Sequence, residues 1–214
     1  MRADGEPSDV RSATSVESKY KLGPDSAGIL MTPEEFDEIS DYDDLYRYEL
    51  VHEVLVVSPF ACETEVAPNE VLAHALLSYR ESHPEGRALD RTLPDRYVLT
   101  RDSRRRADRV IWAGLGRRPN PKEDVPTIVV EFVSRAKADR RRDYEEKRRE
   151  YLEIGVAEYW IIDRFRRQMT VFRNQPGQSP EQVVAEKDSY RTDLLPGFEL
   201  PLARLLAAAD AWKE

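Results

Sequence analysis

A single cysteine, Cys62, occurs in the 214 residues. Without a second thiol there is no intrachain disulfide, and the chain suits a reducing compartment such as the cytoplasm. No apolar stretch approaches the ~20 residues needed to span a bilayer. Residues 1–28 lack the apolar centre of a signal peptide. The three histidines, His52, His74 and His83, do not have metal-ligand spacing, so no zinc site is indicated. Gly114 and Gly116 are not followed by the GK[ST] of a phosphate loop. No internal repeat is visible. Residues 1–27 are polar and turn-rich and are expected to form a disordered tail, leaving residues 28–214 as one domain of ordinary size.

What the chain does have is charge, unevenly placed. The net charge is −8, with 35% of residues charged. Residues 1–70 carry 17 acidic and 5 basic side chains, a net of −12, whereas residues 101–173 carry 20 basic and 13 acidic, a net of +7. Arginine outnumbers lysine 26 to 7, and guanidinium is the better bidentate ligand for phosphate. Arg104, Arg105 and Arg106 directly precede Asp108, and Arg140, Arg141 and Arg142 directly precede a helix carrying Lys147. Both triplets are therefore candidates for a phosphate-binding rim. The commoner meaning of a charge run is a solvated face laced with ion pairs.

Periodicity and turn signals place the elements. Thr32 followed by Pro33, Glu34 and Glu35 predicts an N-capped helix to Ile39. Residues 47–58 read as strand material stopped by Pro59. A helix is predicted over 69–82, with Val71, Leu72, Ala75, Leu76 and Tyr79 on its apolar stripe. Short strands at 97–99 and 109–112, a loop at 114–124 and a central strand at 126–134 follow. After these come a helix over 142–154 stopped by Gly155, a hairpin from 158–162 and 168–172, and an apolar C-terminal helix. Mixed strands with intervening helices imply an α/β or α+β domain.

Within the central strand, Glu131 interrupts Ile128-Val129-Val130 before it and Phe132-Val133 after it. An unpaired carboxylate in such a run costs several kcal/mol or takes a proton. A metal ion or an arginine partner would remove that cost. On the following helix, Asp143, Lys147 and Tyr151 stand at i, i+4 and i+8 and share one face. Lys147 is thus either a surface pair to Asp143 or a cation aimed at the Glu131 region.

The stretches MTPEEF (31–36), YELVHEVLVVSP (48–59), RADRVIW (106–112), PTIVVEFVS (126–134), DYEEKRREYLEIGVAEYWIID (143–163) and LLPGFELPL (194–202) together resemble the Uma-two family. Its members are described as restriction endonucleases within the PD-(D/E)XK nuclease superfamily. The resemblance implies a restriction-endonuclease-like core: a mixed central sheet flanked by helices, with an acidic site at the sheet's forked end. By that resemblance Asp108 matches the Asp of the PD element, Glu131 the acidic residue of (D/E)XK, and Glu49 an accessory N-terminal Glu. Lys147 and Tyr151 match the family's helical Lys-x-x-x-Tyr pair. Ala107 replaces the Pro of PD. Val133 stands where the superfamily's motif Lys would be, a vacancy the helical Lys147 is thought to fill in the Uma-two group.

The implied chemistry is metal-dependent hydrolysis of DNA phosphodiesters. Asp108 and Glu131 are hard oxygen ligands suited to Mg²⁺ or Mn²⁺, with Lys147 neutralising phosphate charge or orienting water. RNA or small nucleotides share this chemistry. The alternative is a catalytically inactive nucleic-acid-binding or protein-interaction module that retains the fold. Convergence of Asp108, Glu131 and Lys147 separates the two readings. A homodimer is expected because cutting both strands of a duplex is commonly solved by paired symmetric sites.

Overall fold

The computed structural model describes residues 21–134, 142–174, 177 and 179–212. Helix α1 spans Pro33–Asp37 and begins as the sequence predicts. Thr32 Oγ1 accepts from the Glu35 N–H at 3.2 Å, and Glu35 Oε2 accepts from the Thr32 N–H at 2.8 Å, a reciprocal capping box. Residues 47–58 are two strands rather than one: β1 (Tyr46–Val51) and β2 (Val54–Pro59) pair in a hairpin. His52 and Glu53 form its two-residue turn with φ of 48° and 64°. Neither is the Asn or Gly that usually marks such a turn. Tertiary contacts brace it instead. Ser103 Oγ accepts from the His52 N–H at 2.9 Å, the Asp102 carbonyl accepts from the Glu53 N–H at 3.0 Å, and the His52 ring pairs with Asp102 at 2.9 Å.

Helix α2 (Glu63–Ser82) starts six residues before the predicted Asn69 and carries Pro68 in its interior. The proline removes one backbone donor, yet Glu63 and Glu65 in the first turn complement the helix dipole. The short strands predicted at 97–99 and 109–112 are parts of a long hairpin, β3 (Leu89–Leu99) with β4 (Arg104–Ala113). Next come β5 (Ile128–Phe132), a π-helical turn (Arg142–Lys147) running into α3 (Arg148–Glu153), then β6 (Glu158–Asp163) and β7 (Gln168–Arg173). Strand β8 (Glu181–Ala185) and the two-residue pair β9 (Ser189–Tyr190) and β10 (Leu200–Pro201) are not foreseen from periodicity. Helix α4 (Leu202–Asp210) closes the chain's described part.

The main sheet runs β2-β1-β4-β5-β6-β7-β8, with β3 also on β4. It is mostly antiparallel. Only the β5–β6 pair is parallel among the paired strands described, as a helical crossover requires. Alternation along β5 divides the interior. Ile128, Val130 and Phe132 enter the core beneath α2 and α4, whereas Val129 and Val133 join Tyr151, Tyr159 and Ile161 on the opposite face, beneath α3. This mixed sheet with helices on both faces is the expected α/β class.

Strand β4 creates the feature that positions the site. Its one edge is occupied by β3 throughout. On the other edge, β1 pairs only at Leu50–Arg104, and β5 pairs from Arg109–Val130 to Ile111–Ile128. The two neighbours approach the same edge from opposite ends, and Asp108 lies in the fork between them.

Residues 21–27, expected to belong to a disordered tail, are part of the fold; residues 1–20 of that expected tail lie outside the described residues. Leu22 is buried with Met31, Phe36 and Leu55, its carbonyl accepts from the Asp43 N–H at 2.8 Å, and its N–H donates to the Asp41 carbonyl at 3.0 Å. We predict that removing residues 1–20 leaves the melting temperature unchanged. Removing 1–27 deletes the Leu22 contact and is expected to lower stability by about 2 kcal/mol, or about 4–8 °C. Equal melting of the two truncations would overturn this boundary.

Candidate active site

The fork opens into a cleft of about 320 Å³. Seven of the charged residues singled out in the sequence line it: Glu49, Arg106, Asp108, Glu131, Arg142, Asp143 and Lys147. Asp108 is held by the backbone of the neighbouring strand, its Oδ2 accepting from the Phe132 N–H at 2.8 Å. Arg47 stands 3.5 Å from its other oxygen. Glu131 points from β5 toward α3 because it shares the face of Val129 and Val133. There Lys147 Nζ donates to Glu131 Oε1 at 2.8 Å and to the Arg106 carbonyl at 3.1 Å. The Tyr151 hydroxyl donates to the same Glu131 oxygen at 3.3 Å.

Lys147 is only 2% exposed, so it is no surface pair. Its distance to Asp143 is 3.7 Å and to Glu49 also 3.7 Å. The π turn carries the i, i+4 relation between Asp143 and Lys147, and α3 continues it to Tyr151. Such turns are rare and recur at functional sites. Glu49 Oε1 accepts from the Arg106 N–H at 2.7 Å, and Arg142 lies 3.8 Å from Glu49 Oε2.

Electrostatics in the cleft are unbalanced. Five carboxylates line it (Glu49, Glu65, Asp108, Glu131, Asp143) against four cationic groups (Arg47, Arg106, Arg142, Lys147). Burial pushes the Glu131 carboxyl well above its usual range. The Lys147 ammonium opposes this, and Asp108 and Asp143 add to it. Burial would lower Lys147, but Glu131, Glu49 and Asp143 outweigh it and hold the ammonium charged. Burial also pushes Glu49 up, and there Lys147, Arg142 and the Arg106 N–H prevail, so it stays below the ordinary value. Asp143 is pushed up to about 6, by burial first. Glu65, on the first turn of α2, is pushed up to about 7 by burial and by Asp108. Burial and the Glu131 charge raise the Tyr151 hydroxyl well above its usual range.

A family profile described as "Uma2: Putative restriction endonuclease" matches residues 33–203. The chain belongs to the Uma2 family. Among solved structures, it is similar to a crystal structure from Anabaena variabilis described as a putative nuclease belonging to DUF820. Identity is 13% and the TM-score 0.65, and the match covers 84% of this chain and 99% of that one. At that identity the likeness concerns the fold, a central sheet flanked by helices. No curated protein matches the chain.

Several positions of this Uma2 protein depart from the sequence reading. Arg104 and Arg105 do not reach the cleft. Arg104 is bidentate to Asp37 at 2.7–3.0 Å and also donates to the Thr100 and Ser103 carbonyls. Arg105 is fully buried on the α3 side, bound to Glu150 through two nitrogens at 2.7 and 2.5 Å. Successive residues of a strand face opposite ways, so a triplet cannot form a single rim. Arg106 does line the cleft, paired with Asp95. Arg142 lines it too, whereas Arg140 and Arg141 lie outside the described residues. Sequence reasoning passed over Arg47 and Glu65 and treated Asp143 only as a neighbour of Lys147. Arg47 and Glu49 alternate on one strand, and Glu65 sits one turn into a helix whose start Pro68 obscured.

Among the described residues no group of three His, Cys, Asp or Glu ligands is arranged to hold a metal ion. Mg²⁺ does not require one, because it is commonly bound by one or two carboxylates together with waters and substrate phosphates. The surplus carboxylate, and Asp143 Oδ1, which is buried without a hydrogen-bond partner, fit a divalent cation in this cleft.

Two stability predictions follow from the geometry. Arg105→Ala strands the buried Glu150 and is expected to lower stability by about 3–5 kcal/mol. Arg104→Ala, whose partner Asp37 is 47% exposed and returns to water, is expected to lower it by less, about 1–3 kcal/mol for the carbonyls left unpaired. Denaturant melts giving equal losses would contradict this assignment. The raised carboxyls fix a pH dependence. Asp143 and Glu65 bind protons more tightly folded than unfolded, so folding stability should fall as pH rises from about 4 through about 7. Asp143→Asn and Glu65→Gln should each flatten that fall in thermal melts. A wild-type slope retained in both variants would exclude these groups as its source.

Proposed function

We propose that the cleft is the active site of a divalent-metal-dependent endonuclease hydrolysing DNA phosphodiester bonds. The observation that carries this reading is the buried contact of Lys147 Nζ on Glu131 Oε1 at 2.8 Å, in a cleft that Asp108 also lines. Asp108 and Glu131 would hold the ion, Mg²⁺ or Mn²⁺. When bound, that ion neutralises phosphate charge and makes water more acidic.

The chain's own groups have separable tasks. An ammonium has three N–H donors, and two of Lys147's are engaged by Glu131 and the Arg106 carbonyl. The third serves a phosphate oxygen or the attacking water. Tyr151, bonded to Glu131 Oε1, fixes the carboxylate's rotamer. The Phe132 N–H does the same for Asp108. Arg47, Arg106 and Arg142 offset the repulsion that a phosphodiester meets among five carboxylates. Glu49, held ionised, keeps Arg142 and Lys147 in place. The alternative reading, a non-catalytic binding module, leaves the buried Lys147–Glu131 pair and the surplus carboxylate without a use. We also propose a homodimer, to present two such clefts to a duplex. No helix among the described residues is long and apolar enough to cross a membrane.

The test is plasmid cleavage with Mg²⁺ or Mn²⁺. Lys147→Met is expected to slow cleavage by about 10²–10³-fold. Glu131→Gln should abolish it, and it should also lower the melting temperature, because the buried Lys147 ammonium loses its nearest counter-charge. Plasmid left intact by wild type with either metal, or cut at the wild-type rate by Glu131→Gln, would overturn the assignment. Light scattering at micromolar concentration tests the dimer, and a strict monomer would count against it.

A further inference from the structure

A second cavity of about 540 Å³ adjoins the cleft and is walled by aromatic rings: Phe36, Tyr42, Tyr46, Tyr48, Phe60 and Tyr97. These rings come from α1, the segment between α1 and β1, β1 itself, the residue after β2, and β3. Unconnected elements thus bring their aromatics to one groove. The rings form two layers. Phe36 and Tyr48 are buried. Against them stand Tyr97, edge to face on Phe36 at 5.6 Å, and Tyr42, edge to face on Tyr48 at 6.0 Å. The Tyr97 hydroxyl donates to the Tyr48 carbonyl at 2.9 Å, so its ring is held from both sides. The outer layer is open to solvent: Tyr42 is 54% exposed, Phe60 52% and Tyr97 36%.

Charge in the groove wall is largely cancelled. Asp95 pairs with Arg47 and Arg106, and Asp37 pairs with Arg104. Only Asp44 and Arg96 add further charge, one of each sign. A ligand entering here meets aromatic side chains, with the Arg106 guanidinium over the Tyr97 ring, 5.7 Å from its centroid. Phe60 and Arg106 line both this groove and the cleft, so the two cavities are neighbours.

We propose that this groove stacks an unpaired nucleobase of the strand whose phosphate lies in the cleft. The proposal rests on the nuclease reading for that phosphate. A base is flat, uncharged and joined to a phosphate, which matches an aromatic, charge-cancelled groove beside a cleft lined by arginines. Within a duplex, base faces are covered by their neighbours. The preferred substrate is therefore single-stranded, or carries a base displaced from the stack. Base-on-ring stacking is worth about 5- to 150-fold in affinity per base.

Fluorescence anisotropy tests the idea with a short labelled single-stranded oligonucleotide in EDTA, where cleavage cannot intervene. The same length made with abasic sites, and a matched duplex, serve as comparisons. Wild type should bind the normal strand at least about fivefold more tightly than the abasic strand. Tyr42→Ala and Phe60→Ala should lose most of that difference while melting within a few degrees of wild type. Equal binding of normal and abasic strands by wild type overturns the proposal without recourse to any variant. So does a strand that fails to bind at all. If Tyr42→Ala and Phe60→Ala instead break up a dimer in light scattering and leave base binding unchanged, the groove is an interface between copies, and the proposal is equally overturned. Cleavage of single-stranded circular DNA with Mg²⁺ separates this from the nuclease reading. Cleavage with no abasic discrimination rejects the groove alone. Discrimination with no cleavage rejects the nuclease alone.

Discussion

Placing a carboxylate in the middle of a hydrophobic strand is the constraint from which the rest of this architecture follows. Glu131 sits between residues that are wholly buried, in surroundings where an isolated negative charge is untenable. The fold answers with Lys147, delivered from another element and itself removed from water. That answer requires α3 to lie over the face of Val129 and Val133, which requires the parallel crossover from β5 to β6. It also requires β1 and β5 to part along β4, since a continuous ladder there would leave no opening beside Asp108. The site is thus a local failure of sheet pairing whose polar groups have been matched one by one.

A second buried acid shows what complete matching looks like. Glu158, at the start of β6, accepts from Trp160 Nε1 at 2.8 Å, from the Tyr190 hydroxyl at 3.0 Å and from Thr192 Oγ1 at 2.9 Å. Such a satisfied network rigidifies a core and leaves nothing for a ligand to bind. Around Glu131 the matching stops short. Carboxylates outnumber cations, and several are held above their usual range. Poise of this kind is uncomfortable for the folded chain and is characteristic of sites that work on charged substrates. The two acids lie on neighbouring parallel strands, three register positions apart (Glu158 opposite Ile128, Glu131 opposite Ile161), and differ in whether their neighbours finish the job.

Much of this was readable from the chain, for physical reasons that differ by element. Thr32-Pro33-Glu34-Glu35 announces its helix because capping is chemistry local to four residues. Glu131 announces itself because it violates a pattern. Lys147 followed from helical spacing, although the π turn that sustains the spacing carries no such local signature. The hairpin turn at His52–Glu53 was hidden because residues fifty positions away, Asp102 and Ser103, hold a conformation its own side chains do not favour. The ends of β4 were hidden because a strand buried among salt bridges reads as a solvated charge run. Arg105 shows the difficulty most plainly: sequence suggests an exposed cation for a ligand, whereas its guanidinium is sealed against Glu150. Which arginines face a cleft and which face a core is decided by strand alternation and by partners that sequence does not name.

The π turn at Arg142–Lys147 sets a phase. An α-helix advances about 100° per residue, and the wider turn takes in one more residue before closing its hydrogen bond. Arg142 and Asp143 are in the cleft, and Tyr151 and Leu152 against the sheet, because that extra residue is there. A lineage that lost any single residue between 143 and 146 would keep a helix of nearly the same composition and amphipathic character. Its two ends would nevertheless be rotated against each other by roughly a quarter of a turn, and either the lysine or the aspartate would leave the cleft. Length in this short segment is therefore as binding a constraint as residue identity, and substitutions there are better tolerated than deletions.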